Sequence, residues 1–282
     1  MTRRQGLLLA ALGLAGLALV DPRIPLPQAV YRYLWVIDIT QSMNTPDYRQ
    51  ANQPADRLGY VKSALRATLP ELPCGSEVGL GVFTSHMTQV LFEPLEVCGH
   101  IGVIDDVIAH LDWRMAWAAN SQIDQGVATA LHRIREADSG WRLVFFTDGQ
   151  TAPGEPRQPD FSQDRGKIKG ILIGTGATEP SLVPRFDREN RPLGYFLEQD
   201  VNGGEVPSGD GYYRSWLDET HLRTLAATAG LEYYRLDSVA NLIGQLTNNE
   251  TLSDYRRVRQ DLRPLAALLA LGLILLALSA EF

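Results

Sequence analysis

The sequence is poor in cysteine and lysine, and it lacks the motifs of several common enzyme classes. Two cysteines and three lysines occur among 282 residues, so arginine supplies most of the positive charge. No glycine-rich loop ends in lysine, no G-x-S-x-G elbow is present, and no basic stripe with interleaved aromatic residues occurs. These absences argue against a P-loop nucleotidase, a serine hydrolase and a nucleic-acid partner, respectively.

Charge is also missing from two apolar segments near the ends of the chain, residues 6–20 and 265–280. Both lie close to the lower limit of ~17 residues for a membrane-spanning helix. We therefore expect a transmembrane helix or signal anchor at residues 1–22 and a second transmembrane helix at 264–282. A cleaved signal peptide is the alternative for the first segment. An arginine-rich linker at 251–263 precedes the second.

The arginine pair before the first segment favours a cytoplasmic N-terminus and an exported middle domain, whereas the arginines before the second segment favour the opposite. Cys74 and Cys98 bear on this choice because they flank a predicted β-hairpin with strands at 77–83 and 88–92. The two ends of a hairpin lie together, so a disulfide is geometrically plausible. A disulfide would favour the periplasm, while two buried free thiols are the alternative.

Apolar strands alternate with amphipathic helices through the middle of the chain. Strand-like runs at 32–37 and 141–146 end at Asp38 and at Thr147-Asp148-Gly149. Further strands are predicted at 167–173 and 231–235, and helices at about 56–69, 101–111, 123–134, 218–229 and 239–246. This order predicts a doubly wound α/β domain at about 30–250, with a mostly parallel sheet, one antiparallel edge strand and an insertion at about 178–215.

Oxygen-bearing side chains follow two of these strands. Asp38 and Asp148 stand at strand carboxyl ends, where open α/β sheets bind their ligands. Thr40 and Ser42 follow Asp38 at alternate positions and present hydroxyls on the same side of an extended loop. A set of carboxylates and hydroxyls without histidine or cysteine suits Mg²⁺, Mn²⁺ or Ca²⁺ and does not suit zinc or copper.

The order of these motifs resembles the von Willebrand factor A (vWA) family, whose metal-ion-dependent adhesion site has a D-x-S-x-S motif, a distant threonine and a T-D-G-like turn. This chain has D-I-T-Q-S at 38–42 and T-D-G at 147–149. Ser121, in the loop before the third predicted helix, occupies the position of the distant threonine. Asn120 and Asp124 are alternatives to Ser121 as a ligand.

The resemblance implies that Thr40 or Ser42 ligates the metal directly together with Ser121. It implies that Asp38 and Asp148 act directly or through water. One coordination position remains open for a Glu or Asp of a protein partner, and Mg²⁺ is the expected cation.

The two apolar ends, and the stretch at 217–234 after a Pro/Gly-rich insertion, resemble membrane-anchored bacterial vWA proteins. These include the aerotolerance (Bat-type) proteins and the MxaL-like proteins of methanol-oxidation clusters, which accompany MoxR-type AAA+ ATPases. The resemblance implies a non-enzymatic protein of the bacterial inner membrane with a periplasmic vWA domain. Its expected role is assembly of, or metal insertion into, a periplasmic enzyme such as methanol dehydrogenase, with other vWA proteins and a MoxR-type ATPase as further partners.

A metal-dependent phosphohydrolase is the enzymatic alternative. Phosphoaspartyl enzymes of the haloacid dehalogenase type need a second aspartate two residues after the first, and here that residue is Thr40. Trp113 and Trp117 precede Ser121 and are candidate partner contacts at the rim of the metal face. Packing of these tryptophans against the helices of the domain is the alternative.

Overall fold

The computed structural model describes residues 3–20, 22–50, 52–118, 120–137, 140–152, 159–201 and 210–279. Residues 202–209 of the predicted insertion and the outer ends of the two apolar segments therefore lie outside the described residues. The chain forms two compact units. One comprises Val30–Asp254, and the other combines Met1–Ala29 with Tyr255–Phe282.

The described residues form α-helices and β-strands that alternate through most of the larger unit. The helices are α1 (Arg3–Leu19), α2 (Arg57–Thr68), α3 (Val97–His110), α4 (Ile123–Ala137), α5 (Glu219–Ala229), α6 (Val239–Thr247) and α7 (Arg263–Ser279). The strands are β1 (Arg23–Asp38), β2 (Tyr48–Gln50), β3 (Gln53–Ala55), β4 (Glu77–Thr84), β5 (Met87–Glu96), β6 (Arg142–Thr147), β7 (Gly170–Gly174), β8 (Ser181–Leu182), β9 (Pro184–Phe186), β10 (Pro192–Tyr195), β11 (Arg214–Ser215), β12 (Glu232–Arg235) and β13 (Ser253–Asp261).

The central sheet has the strand order β12-β7-β6-β1-β4-β5, and β13 also pairs with β1. All neighbours along this order are parallel except β4 and β5, which form an antiparallel edge. Helices α2, α3 and α6 contribute to the core on one face, and α4 and α5 contribute to the core on the other. The predicted doubly wound, mostly parallel α/β sheet with one antiparallel edge is confirmed.

The central strand β1 is apolar on both sides because both of its faces are covered. Tyr33, Trp35 and Ile37 pack in one core and Leu34 and Val36 in the other, all without solvent exposure. Strands buried on both faces are nearly continuous apolar runs, which is why residues 32–37 could be identified from sequence.

The direction of winding reverses next to β1. The chain passes from β1 to β4 on one side, then returns to place β6 on the other side of β1. The parallel register pairs Ile37 with Phe146, so Asp38 and Thr147 stand side by side at the carboxyl edge. The crevice above these strand ends is the topological switch point at which such sheets bind ligands.

The antiparallel edge carries the disulfide. Glu77 opposes Glu96 in the β4–β5 register, so the segments before β4 and after β5 meet at one end of the hairpin. Cys74 and Cys98 form a disulfide there, with their Cα atoms 5.3 Å apart.

The smaller unit pairs the two apolar helices. Helices α1 and α7 pack together, with Ala11, Ala266, Ala270 and Ala277 buried. Among the described residues, no helix is long and apolar enough to cross a membrane. Each helix has 17 residues, a length of about 25 Å against a hydrocarbon core of about 30 Å. The prediction that both segments span a membrane is therefore not supported.

The structure also changes the description of residues 251–263. This segment was predicted to be an arginine-rich linker, but strand β13 occupies Ser253–Asp261 and pairs with β1. Helix α7 begins two residues after β13 ends, and the Asp261 side chain accepts a hydrogen bond from the Arg263 N–H at 2.8 Å.

Candidate metal centre

Asp38 is the buried carboxylate at the end of β1. Its Oδ1 accepts hydrogen bonds from the Thr40 backbone N–H at 2.8 Å and the Thr40 hydroxyl at 2.7 Å, and its Oδ2 accepts one from the Thr147 hydroxyl at 2.7 Å. Burial raises the pKa of Asp38, the neighbouring Asp148 carboxylate raises it further, and the threonine hydrogen bonds oppose both effects. The groups that donate hydrogen bonds to Asp38 carry no charge. A cation near Asp38 would add a positive charge and would favour the ionised form of the carboxylate.

The loop after Asp38 places two hydroxyls beside each other. Thr40 precedes a short 3₁₀ helix, Gln41–Asn44, so the chain turns back at this point. The Oγ1 of Thr40 lies 3.3 Å from the Oγ of Ser42. Thr40 is also buried. These two oxygens and Asp38 therefore form one side of the candidate site.

Ser121 lies in a different loop, and backbone hydrogen bonds to two other segments hold that loop in place. Its N–H donates to Ala152 O at 2.5 Å, and the Ala152 N–H donates back to Ser121 O at 2.8 Å. The adjacent Gln122 N–H donates to Ser85 O. The Ser121 hydroxyl is nevertheless buried, and among the described residues it has no hydrogen-bond partner. A buried unpaired hydroxyl costs about 1–3 kcal/mol, and ligation of a cation would remove that cost.

Asp124, the alternative to Ser121, is engaged elsewhere. Its Oδ2 lies 3.0 Å from Nε2 of His221, whose Nδ1 lies 2.6 Å from Gly149 O. Both neighbours are acceptors, so both ring nitrogens donate and the imidazole is protonated. The hydrogen bond with Asp124 is the largest cause that raises the pKa of His221 to about 9. Asn120, the other alternative, lines the cleft beside Ser121.

The Asp148 carboxylate forms an ion pair with the buried guanidinium of Arg57. Its Oδ2 accepts from Arg57 Nη1 at 2.8 Å and from the Ser215 hydroxyl at 3.2 Å, and its Oδ1 accepts from the Gln150 N–H at 3.0 Å. Neither Arg57 nor Asp148 has any side-chain exposure. Because both Asp148 oxygens already accept hydrogen bonds, Asp148 is better placed to act on a cation through a water molecule or through its negative charge than to ligate it directly.

Arg57 is a site residue that the sequence motifs did not reveal. It also contacts Asp47, with Nη2 and Nε at 2.6 and 2.9 Å from Asp47 Oδ2. Arg57 lies at helical spacing from Val61, Ala64 and Thr68, and all four residues are buried on one face of α2. This spacing was the sequence signal for a buried arginine. A charge on a buried helical face needs a buried counter-charge.

The turn after β6 requires glycine at position 149. Gly149 has φ of +80°, and a Cβ there would lie 2.6 Å from Leu222 Cγ and 3.0 Å from Asp218 O. Its N–H donates to the Thr147 hydroxyl at 3.1 Å. The T-D-G sequence thus permits a left-handed turn that packs closely on the start of α5.

A cleft of about 250 Å³ opens above the candidate oxygens. Its lining includes Thr40, Ser42 and Ser121, which we call the metal side of the cleft. Its lining also includes residues of the predicted insertion, which we call the insertion side: Val183, Phe196, Asp200, Val201 and Tyr213. Gln41, Asn120, Gln150 and Ala152 complete the lining.

The two candidate partner tryptophans differ. Trp113 packs on Phe186 of the insertion, with ring centroids 6.2 Å apart, and its Nε1–H donates to Asn190 Oδ1 at 3.1 Å. The side chain of Trp117 is 52% exposed. The structure thus gives Trp113 a packing role and leaves Trp117 accessible.

The donor set fits a hard divalent cation. Thr40, Ser42 and Ser121 line one cleft. Asp38 contacts Thr40 through a hydrogen bond, and Asp148 lies near enough to Asp38 for the two carboxylates to interact electrostatically. Within the described ranges, no group of three or more His, Cys, Asp and Glu residues is placed to hold a metal, so such a site depends on hydroxyl oxygens. Oxygen ligands are those that Mg²⁺ and Ca²⁺ prefer.

Comparisons with known proteins agree with this geometry. Residues 33–150 match the family model of the von Willebrand factor type A domain. No curated protein matches the chain. Among solved structures, an aerotolerance-related membrane protein from Bacteroides fragilis NCTC 9343 is 15% identical, with 76% of this chain and 95% of that chain covered and a TM-score of 0.54. The conserved hypothetical protein BatB from Bacteroides thetaiotaomicron is 16% identical, with 77% and 95% covered and a TM-score of 0.56.

At these identities the two structures establish similarity of fold. The match to the family model runs from residue 33, inside β1, through the T-D-G turn, and it therefore includes all three of the sequence elements that form the candidate site. Residues 33–150 of the chain thus match the von Willebrand factor type A domain.

Proposed function

We propose that this chain is a membrane-attached vWA protein that binds one divalent cation, preferably Mg²⁺, and uses it to hold a carboxylate of a protein partner. Thr40, Ser42 and Ser121 would supply direct oxygen ligands. Asp38 and Asp148 would supply negative charge, directly or through water. The observation that carries the proposal concerns Ser121, which lines the same cleft as Thr40 and Ser42. Its hydroxyl is buried and has no hydrogen-bond partner within the part of the chain that the structure describes.

A cation held mainly by neutral hydroxyls stays electrophilic and accepts an incoming carboxylate. The protein's own groups prepare that site. The threonine hydrogen bonds fix the Asp38 carboxylate, Arg57 fixes Asp148, and the backbone pair with Ala152 fixes Ser121. Such fixed geometry reduces the entropy that binding would otherwise lose.

The biological setting that we propose is the bacterial cell envelope. The vWA domain would lie in the periplasm, where the Cys74–Cys98 disulfide would persist. Two assembly roles fit such a module. One is a Bat-type role, favoured by the fold similarity to the two Bacteroides proteins. The other is maturation of, or metal insertion into, an enzyme such as methanol dehydrogenase, with other vWA proteins and a MoxR-type ATPase as partners.

Calorimetric titration of the purified full chain with Mg²⁺ tests the metal site. We expect one Mg²⁺ per chain, and we expect Asp38→Ala and Ser121→Ala each to weaken binding at least tenfold. Ser63→Ala, which removes an exposed hydroxyl on α2, is the matched control and should bind normally. Equal binding by all four proteins would place any Mg²⁺ elsewhere and overturn the proposal.

The enzymatic alternative is tested in the same preparation with para-nitrophenyl phosphate and Mg²⁺. The proposal predicts no turnover that depends on Asp38. Hydrolysis that is lost in Asp38→Ala, with the fold intact by circular dichroism, would favour a phosphohydrolase instead.

Membrane attachment is proposed from the exposed leucines of α1 and α7, among them Leu9, Leu12 and Leu268. The full chain should float with phosphatidylethanolamine–phosphatidylglycerol vesicles in a density gradient. A variant with Leu9, Leu12 and Leu268 changed to Gln should remain at the bottom. Equal flotation of both proteins would count against attachment through these helices.

A further inference from the structure

The insertion contributes apolar residues to the same cleft that the candidate metal oxygens line. We propose that the cleft recognises two adjacent side chains of a partner: an acidic residue at the cation and an apolar residue against the insertion. The apolar surface, defined as Val183, Phe196, Val201 and Tyr213, is called the insertion wall below. This inference rests on the proposed function and names the chemistry of the partner.

Backbone hydrogen bonds hold the insertion wall together. The Phe196 N–H donates to Val183 O at 3.0 Å, and the Tyr213 N–H donates to Phe196 O at 2.9 Å. These bonds place Val183, Phe196 and Tyr213 side by side. Val183 is buried, and Phe196 and Tyr213 are half-buried. The wall therefore offers an apolar surface that is already ordered before a partner arrives.

The base of the insertion is tied to the metal side of the cleft. Asp47 Oδ2 accepts from the Ala177 N–H at 3.0 Å, and Arg57 contacts the Ser215 hydroxyl at 2.7 Å. The Leu217 N–H donates to Ala177 O, which joins the two ends of the insertion. Because Arg57 also holds Asp148, the position of the wall is fixed relative to the candidate metal site.

The charges at the rim are compatible with an acidic partner. Asp200 also lines the cleft, but its Oδ2 lies 3.4 Å from Arg185 and accepts from the Leu197 N–H at 3.0 Å. Arg185 in turn lies over the Phe196 ring, 5.7 Å from its centroid. The negative charge of Asp200 is thus offset by Arg185, and a bound cation would dominate the potential in the cleft.

The size of the cleft limits the ligand. Its volume of about 250 Å³ lies below the range of about 300–1,000 Å³ that is typical of pockets for whole small molecules. One carboxylate and one aliphatic or aromatic side chain suit such a space. An acidic residue next to an apolar residue in a protein segment supplies both groups together.

Binding of labelled, end-blocked peptides Gly-Asp-Leu-Gly and Gly-Asp-Gly-Gly to the full chain tests the inference, in Mg²⁺ and in EDTA. We expect both peptides to bind only in Mg²⁺. Partial burial of the leucine on the insertion wall should make the first bind about tenfold more tightly. Phe196→Ala should reduce this ratio to about twofold or less without changing Mg²⁺ affinity, whereas Phe196→Leu should preserve it.

Tyr195→Ala is the matched control, because Tyr195 is the exposed neighbour of Phe196 and does not line the cleft. It should leave the tenfold ratio intact. Equal affinities of the two peptides for the unmodified chain, or an unchanged ratio in Phe196→Ala, would overturn the inference while leaving the proposed function standing. Binding of neither peptide in Mg²⁺ would overturn both.

Discussion

The two sides of the cleft are built in different ways. The metal side stands on the carboxyl ends of two parallel strands, and its carboxylates Asp38 and Asp148 have no solvent exposure. The insertion side rests on strands of two to four residues and on a partly exposed ion pair between Arg185 and Asp200. The sheet core therefore fixes the candidate ligands, whereas the insertion is tied to that core at Ser215 and is otherwise held by short strands and a partly exposed ion pair.

The largest expected effect comes from Arg57→Leu. The substitution leaves Asp148 and Asp47 buried without their counter-charge, so the free energy of unfolding should fall by about 3–5 kcal/mol. Urea unfolding of the full chain, followed by circular dichroism, measures this loss. A loss below 1 kcal/mol would show that the metal side is not held as rigidly as the contacts indicate.

The next effect concerns pH and the His221 contacts. Because folding raises the pKa of His221 to about 9 from about 6.5 in the unfolded chain, the folded state binds the proton more tightly. This stabilisation is fully present below about pH 6.5 and is lost as the pH rises through 9. The melting temperature should therefore fall between pH 7 and pH 9.5. His221→Gln should weaken this dependence, and an identical pH profile would argue against the protonated pair.

A smaller effect on stability distinguishes Ser121 from its neighbours. Without Mg²⁺, Ser121→Ala should leave the unfolding free energy unchanged within about 0.5 kcal/mol or raise it, because it removes a buried hydroxyl that pairs with none of the described residues. It should also abolish the increase in melting temperature that Mg²⁺ produces. Thr147→Val is the contrast, since it removes a donor to Asp38 and should destabilise the metal-free protein by about 1.5–3 kcal/mol.

Arg185→Leu should have the smallest effect. Arg185 is partly exposed, and its ion pair with Asp200 spans 3.4 Å, so we expect a loss of about 0–1 kcal/mol in the same urea experiment. Similar losses for Arg57→Leu and Arg185→Leu would remove the distinction between the two sides of the cleft.

The metal side of the cleft could be predicted because its determinants are local. Strands β1 and β6 contain continuous apolar runs at 33–37 and 143–146. Asp38 is the last residue of β1, and Asp148 directly follows β6. In a parallel sheet, the carboxyl ends of neighbouring strands meet, so Asp38 and Asp148 had to approach once β1 and β6 were neighbours. Helix α2 was also predictable, because Asp56 caps it by accepting from the Gly59 N–H.

The remaining features depend on contacts that no local pattern encodes. Arg57 and Asp148 are 91 residues apart in sequence, and the insertion wall forms only when Val183, Phe196 and Tyr213 pair across loops. Strand β13 was not predicted from the sequence, because its arginines are typical of a solvated linker, although the same residues permit an edge strand. Strand β1 begins four residues after α1 ends, and β13 ends two residues before α7 begins, which hydropathy does not show.

The buried ion pairs around Arg57 also set the charge that the site presents to an ion. Asp38, Asp47 and Asp148 are three buried carboxylates, and Arg57 is the guanidinium that pairs with two of them. When all are ionised, the cluster carries two net negative charges. One divalent ion neutralises this cluster, whereas a monovalent ion leaves it negative and a trivalent ion makes it positive. In the proposed metal site, the core of the domain would thereby favour ions by valence as well as by ligand chemistry.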